Sequence, residues 1–494
     1  MDKLRTVLGS VDRNAQKLAR LSDEIWGFAE TGFEEHRSVA SLVAIAEAEG
    51  FAIDRGIAGI ETAFIASYGS GSPVVAILGE YDALPSMSQE AGLPEKRASR
   101  ARENGHGCGH NLLGVGALGA AIAAKDFLKE SGTPGTIRFY GCPGEEFGCG
   151  KTFMTRAGVF DDVDLALTWH PSDINSVWQA RTLANISVYF RFEGKASHAA
   201  AAPHLGRSAL DAVELMNVGA NYLREHVIPE ARFHYAITNA GGRAPNVVQA
   251  SAESFYYCRA PRISQAREIY ERLCDVARGA ALMTGTSLKI VLSQGLSDYV
   301  PNLVVGQLLQ ACMELVGGPA FDSSDRRLAG QFCSTLTETE LATIRGQIKQ
   351  TQGNAVLEAI GDDPLDSIIA PLFKGDICLP GSTDVGDVSQ VLPTGQIVYA
   401  TAALGTQPHS WQNTAQAGSS IGHKGMMAAA RALGLAAVEI FLDPDIARRA
   451  KEEHGSVVSH DYVCPIPDDI GPDDVLKAMR SGDAPQASSS RRPM

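Results

Sequence analysis

Short apolar, β-branched runs alternate with segments of helical periodicity in the first part of this chain, and that alternation limits the fold more than any other feature. Val74 to Leu78, Thr136 to Tyr140 and Leu165 to Thr168 read as buried strands, while Leu112 to Leu128 and Gly150 to Ala157 between them read as helices. Such strand–helix–strand units build an α/β fold with a mainly parallel sheet and helices on both faces. Ligands of these sheets collect beyond the carboxyl ends of the strands. Each strand here is followed by reactive groups: Glu80 and Asp82, then Glu145 and Glu146, then His170.

From Ile186 the pattern changes to alternating strand residues, a helical stretch from Ser208 to His226, a strand near Phe255 to Arg259 and a helix from Ser264 to Met283. This reads as a smaller α+β domain set into the first one. A chain of 494 residues is long for one core. The expected division is 1–185 and 294–484 for the two parts of the catalytic domain, with 186–293 between them. Within the second part an irregular insert is expected near 330–375, carrying the Thr- and Gln-rich stretch Ser334 to Gln352, and Met426 to Phe441 reads as a buried helix. The Ser-rich tail 485–494 is expected to be disordered.

A formal charge of -14 repels a phosphate backbone, so nucleic acid is not an expected partner. No apolar run is expected to reach the roughly 18 to 20 residues that cross a bilayer, and the N-terminal segment lacks a secretory signal's apolar core. A cytoplasmic protein with no membrane partner is expected. The nine cysteines are scattered without framework spacing, which predicts mostly reduced core thiols.

The chemistry lies in four places. His106-Gly107-Cys108-Gly109-His110-Asn111 sets a thiol and imidazoles among glycines, a donor set that suits a divalent ion, or alternatively a Gly-rich turn with structural histidines. Glu145 and Glu146 are adjacent acids after a strand, where one carboxylate can ligate and the other move a proton, or both can decorate a helix N-terminus. His170 and His409 each follow an apolar run, and either alone reads as structural. Their joint occurrence, in order, is enough for two ions in shared coordination.

These residues, with Glu80-Tyr81-Asp82-Ala83-Leu84-Pro85, Ser197-His198-Ala199-Ala200, Arg243-Ala244-Pro245-Asn246-Val247 and Gly381-Ser382-Thr383-Asp384, make the chain resemble the M20 metallopeptidases and amidohydrolases. Within that family it resembles the branch of aminobenzoyl-glutamate and amino-acid-conjugate hydrolases. The resemblance implies two divalent ions, zinc or manganese with cobalt a third choice, held by Cys108, His110, Glu146, His170 and His409. Glu145 would be the general base, and Asp82 would orient a ligand. The 186–293 domain would be a lid and dimerisation domain bringing His198 to the oxyanion, with Asn246 and Arg259 on the substrate's carboxylate or amide. Arg259 reads alternatively as a surface ion pair. Glu80 stands where the peptidase branch has a histidine ligand, and Asn111 where many amidohydrolases have Asp.

By the same resemblance the substrate is an N-acyl amino acid with an aromatic acyl group, such as p-aminobenzoyl-glutamate or an indole-acetyl conjugate. Alternatives are an aromatic amine deaminase or a dipeptidase using the same two-metal site. The assembly implied is a homodimer through the lid, with a subunit of a heteromeric hydrolase as the alternative.

Overall fold

The computed structural model describes residues 2–458 and 461–482, so the expected disordered tail lies outside the described residues. Helices α1 (Lys3–Phe28) and α2 (His36–Ala48) lead into strands β1 (Ala52–Arg55), β2 (Phe64–Ser70) and β3 (Val74–Glu80). Then come α3 (His110–Ser131), β4 (Gly135–Cys142), α4 (Gly150–Arg156), β5 (Leu165–Ser172), β6 (Ser176–Val177) and β7 (Arg181–Thr182). A second unit holds β8 (Ala184–Glu193), α5 (Ala209–Leu223), β9 (Arg232–Asn239), β10 (Ser251–Ala260), α6 (Ile263–Thr284) and β11 (Ser287–Leu296). The chain returns through α7 (Leu303–Val316), α8 (Ser323–Cys333), α9 (Glu338–Thr351), α10 (Asn354–Ile360), β12 (Cys378–Leu379), α11 (Val385–Ser389) and β13 (Thr394–Ala400). Helices α12 (Trp411–Ala417), α13 (Ser420–Leu442), α14 (Asp445–Val457) and α15 (Pro472–Gly482) follow.

The main sheet has the order β1-β2-β4-β3-β5-β13-β6. Its centre, β4-β3-β5-β13, is parallel, as the sequence predicts, and antiparallel β2, β1 and β6 border it. Alternation along β3 fixes both faces: Val75 and Ile77 pack toward α1, α3 and α13, while Ala76 and Leu78 pack toward α4 and α11. The sheet is therefore buried on both sides, which explains why its strands read as near-continuous apolar runs.

Two expectations are corrected. Helices α3 and α13 are long and apolar enough to cross a membrane, contrary to the reading of the apolar runs, but 94% and 83% of their apolar windows are buried inside the fold. They are core helices packed on each other and on the sheet. The segment 330–375, expected to be irregular, is helical over α9 and α10. Thr337 and Glu340 cap α9 reciprocally, and Ile344 and Ile348, one turn apart, bury its inner side.

The second sheet, β11-β8-β10-β9, is antiparallel throughout and covered by α5 and α6. It runs from Ala184 to Leu296, slightly beyond the expected 186–293. Strand β9 forms a free edge.

Candidate metal centre

The carboxyl ends of the parallel strands converge. Glu80 ends β3, Glu145 and Glu146 follow β4, and His170 lies within β5 itself. Gly109, in the left-handed region at φ 79°, turns the chain into α3 so that Cys108 and His110 flank it. His409 also has positive φ, 55°, a conformation that a non-glycine residue adopts at a cost of order 1–3 kcal/mol and that the loop before α12 imposes.

Side chains that attract the same cation face one another. Cys108 Sγ lies 3.3 Å from His170 Nε2, and His409 Nε2 lies 3.4 Å from Glu146 Oε1. His110 Nε2 lies 3.2 Å from Glu80 Oε2. Donors of nitrogen, oxygen and sulfur this close together suit a divalent cation such as zinc, whose bonds to them are about 2.0–2.3 Å long. Two donor groups, Cys108–His110–His170 and Cys108–Glu146–His409, share the thiol, and a third joins Glu80, His110 and Glu145. The donor set fits two divalent ions that would share Cys108 as a ligand.

Asp82 ties the halves of this site together. Its Oδ1 accepts from His110 Nδ1 at 2.8 Å and its Oδ2 from the backbone N–H of Glu146 at 2.8 Å. The carboxylate thereby fixes the His110 tautomer and leaves Nε2 for a cation. Behind the Glu145 loop, buried Glu35 accepts from the N–H of Gly144 at 2.8 Å and from Thr62 Oγ1 at 2.9 Å.

Electrostatics follow from the crowding. Burial and Glu146 push the Cys108 thiol up, but His170 and His110 outweigh them and it falls to about 6. His110 and His170 are raised despite burial, chiefly by Cys108, and His409 is pushed up to about 11 by its bonds to Cys108 and Glu146. Without ions these imidazoles hold protons that an ion must displace. Metal affinity is therefore expected to rise with pH between about 6 and 8, by up to about tenfold per unit for each proton displaced. Competition titrations with a chelator at several pH values check this; a flat profile would contradict the protonation picture.

Glu145 lines the pocket and stands well above the usual carboxylate range through burial and the charges of Glu80, Glu146 and Asp384. Glu80 goes the other way: burial raises it, but Lys151, His110 and His170 bring it down. Lys151, 0% exposed, places Nζ 2.7 Å from Glu80 Oε1 and 2.6 Å from Asp384 Oδ1. Burial and Glu80 outweigh the lysine at Asp384, which is pushed up to about 6.

Of the expected site residues, the structure gathers Cys108, His110, Glu145, Glu146, His170, His409 and Asp82. A pocket is lined by most of them together with Trp178, Thr182, Ser382, Thr383 and Gln396. His198, Asn246 and Arg259 are not among its lining residues. His198 is exposed on the second domain, beside the Asn246 loop. Arg259 donates to Pro380 O at 3.0 Å, its Nε is buried without a partner, and among the described residues it makes no ion pair. The surface ion-pair reading of Arg259 is thus not what the structure shows.

Neighbouring motif residues are structural. His106 bonds Ile25 O at 3.1 Å and burial lowers it to about 3. Asn111 donates to Ser22 Oγ and Ala417 O, tying α3 to α1 and the end of α12. Sequence reasoning missed Lys151, Glu35, Trp178, Thr182 and Gln396. Only Lys151 carried a signal: a cation in the first turn of a helix opposes the dipole and calls for acidic partners.

The sequence profile of peptidase family M20/M25/M40 matches residues 76–346. The chain is 46% identical to one of the subunits of the p-aminobenzoyl-glutamate hydrolase of Escherichia coli K12, over 95% of this chain and 98% of that one. It is 29% identical to the Xaa-Arg dipeptidase of Mus musculus over 90% of each. Among solved structures, the dinuclear metal-binding YXEP protein of Bacillus subtilis superposes with a TM-score of 0.53 at 17% identity, covering 87% of this chain and 99% of its own.

Proposed function

Because the chain belongs to peptidase family M20/M25/M40 and is a hydrolase of amide bonds, we propose that it cleaves N-acyl amino acids with an aromatic acyl group, p-aminobenzoyl-glutamate and indole-acetyl conjugates among them. The observation that carries this reading is the pocket itself: two ligand groups sharing Cys108, with Glu145 beside them. Trp178 gives the pocket an aromatic wall edge-on to His170, with ring centroids 6.4 Å apart, and its buried Nε1 has no partner in the protein. An aromatic acyl group with a polar substituent suits that wall.

Cys108, His110 and His170 would hold one ion and Cys108, Glu146 and His409 the other, with zinc, manganese and cobalt all compatible with these donors. When bound, the ions supply Lewis acidity toward the amide carbonyl and toward water. Glu145 takes the proton of the attacking water and returns it to the departing amine. His198 Nδ1 accepts from Ala200 N and Ala201 N at 3.2 and 3.1 Å, which puts the ring proton on Nε2. That proton is free to donate to the carbonyl oxygen as charge develops, after lid closure or from a second chain. Arg259, with an unpaired Nε, and Asn246 would receive the amino acid's carboxylate.

A panel of N-aroyl amino acids, N-acetyl amino acids and dipeptides, incubated with the metal-loaded chain, tests the reaction. Release of an aromatic acid with an equal amount of amino acid supports it. Ammonia without amino acid would indicate a deaminase instead, and cleavage confined to dipeptides would match the activity in the mouse relative's name.

The proposed homodimer uses the free edge of β9 and the outer side of α5. Ile237 on β9 and Val218 and Tyr222 on α5 are exposed large apolar side chains, Tyr222 to 73%. Ile237→Lys with Tyr222→Glu is expected to give a monomer in sedimentation that melts within a few degrees of wild type. The Escherichia coli relative is named as one subunit of its hydrolase, so a different partner on the same face is the second reading. All nine cysteines are free, which supports a cytoplasmic location.

A further inference from the structure

Resting on the hydrolase reading above, we infer that Gln396 selects the acyl group: its side-chain amide hydrogen-bonds a neutral polar substituent at the far end of an aromatic acyl group. Sheet register places it. On β13, Gln396 pairs with Thr168 of β5, and Val398 pairs with His170. Alternate residues of a strand share a face, so Gln396 and Thr168 lie on the side that His170 takes, two residues or about 7 Å of strand behind it. On the other flank of β13, Trp178 donates its backbone N–H to Gln396 O at 2.8 Å, next to the pairing of Ile397 with Val177. Thr168, Gln396 and Trp178 thus form a cross-strand row behind His170, and all four residues line the pocket.

That row is where the pocket's hydrogen-bonding capacity is unspent. Gln396 is 5% exposed, and its side-chain amide has no partner among the described residues. Trp178 Nε1 and Ser382 Oγ, both buried, also lack one. Thr168 differs, since its hydroxyl donates to Leu78 O at 3.1 Å. An amide both donates and accepts and an indole only donates, so the end of this slot serves a group that does both, such as an amino or hydroxyl substituent. Charge decides which part of the substrate lies there. No Lys or Arg is among the lining residues, while Glu80, Glu145 and Glu146 are, so the amino acid's carboxylates are repelled and the uncharged acyl end takes the slot. The distance from carbonyl carbon to para substituent in a benzoyl group is comparable with the two-residue step, so a carbonyl beside His170 brings its substituent to Gln396.

The metal-loaded full chain tests this with p-aminobenzoyl-, p-hydroxybenzoyl- and p-methylbenzoyl-glutamate, because methyl has the size of the other two substituents without their hydrogen bonds. Wild type is expected to prefer the amino and hydroxyl substrates over the methyl one by at least about tenfold in kcat/KM, and Gln396→Leu to bring those ratios within about threefold, chiefly through KM. Calorimetric titration with p-aminobenzoate and p-methylbenzoate reads the same preference without turnover. The preference between p-aminobenzoyl-glutamate and p-aminobenzoyl-alanine is expected to survive in Gln396→Leu. Should that variant not fold, Gln396→Met keeps the length of the side chain and is expected to show the same collapse of the ratios. A wild type that cleaves aroyl-glutamates without discriminating among them overturns the inference. So does an equal fall on every substrate in Gln396→Leu, the mark of a structural role, or a change confined to the choice of amino acid. A wild type that cleaves none of the panel removes the hydrolase reading and this inference with it.

Discussion

Glu145→Ala is expected to lose on the order of a thousandfold or more in kcat/KM while still binding two ions per chain. The two donor groups that share Cys108 do not include Glu145, so its removal spares the ions. What it removes is the base, and a positioned base is worth roughly 10²–10⁴-fold. Stability should move differently. Burial and the charges of Glu80, Glu146 and Asp384 hold Glu145 above the usual carboxylate range. A raised acid contributes stability that is present below its unfolded pKa and is lost as pH rises through the folded value. In the ion-free protein, Glu145→Gln therefore melts at or above the wild-type temperature at neutral pH and loses that advantage toward pH of about 4. Metal counts, steady-state kinetics and melting curves separate these effects. Loss of an ion together with activity would make Glu145 a ligand instead of a base.

The sequence carried the parallel strands because a sheet covered on both faces must be apolar at nearly every position, and β3 to β5 are. The candidate ligands stood out because most of them sit beyond a strand end or in a bent loop, His170 being inside β5. The loop's composition alone does not separate His106 from His110, four residues apart among glycines; only the family resemblance picked out His110. Only the fold shows that His106 points back at Ile25 O while His110 faces the pocket. The Thr- and Gln-rich stretch around α9 looked irregular because its composition is polar; the pairing of Thr337 with Glu340 and a narrow apolar stripe suffice for a helix. Trp178, Thr182 and Gln396 reach the pocket from separate strands and their flanks, and nothing local marks them. Lys151 did carry a signal, a cation in a helix's first turn, but that signal names no partner, and only the fold shows Glu80 and Asp384 beside it.

That lysine is where the largest loss of stability is expected. Lys151→Met keeps the aliphatic length but strands Glu80 and Asp384, both almost fully buried, without their shared cation. Removing one partner of a buried ion pair costs about 3–5 kcal/mol, and a domain of this size moves about 2–4 °C per kcal/mol, so Tm should fall by roughly 10 °C. The pH dependence identifies the cause. In wild type, Lys151 and the neighbouring histidines hold Glu80 low, while Asp384 already stands at about 6. In the variant both acids rise above their unfolded values, so its stability is retained below about pH 4 and lost as pH increases through the raised values. The gap between wild type and Lys151→Met should therefore be narrow in acid and widest at neutral pH. Adding Asp384→Asn to Lys151→Met removes one stranded charge and should recover part of the loss, a coupling that independent sites would not show. A deficit in Tm that is constant across pH and indifferent to Asp384→Asn would mean that Lys151 matters for its packing and not for its charge.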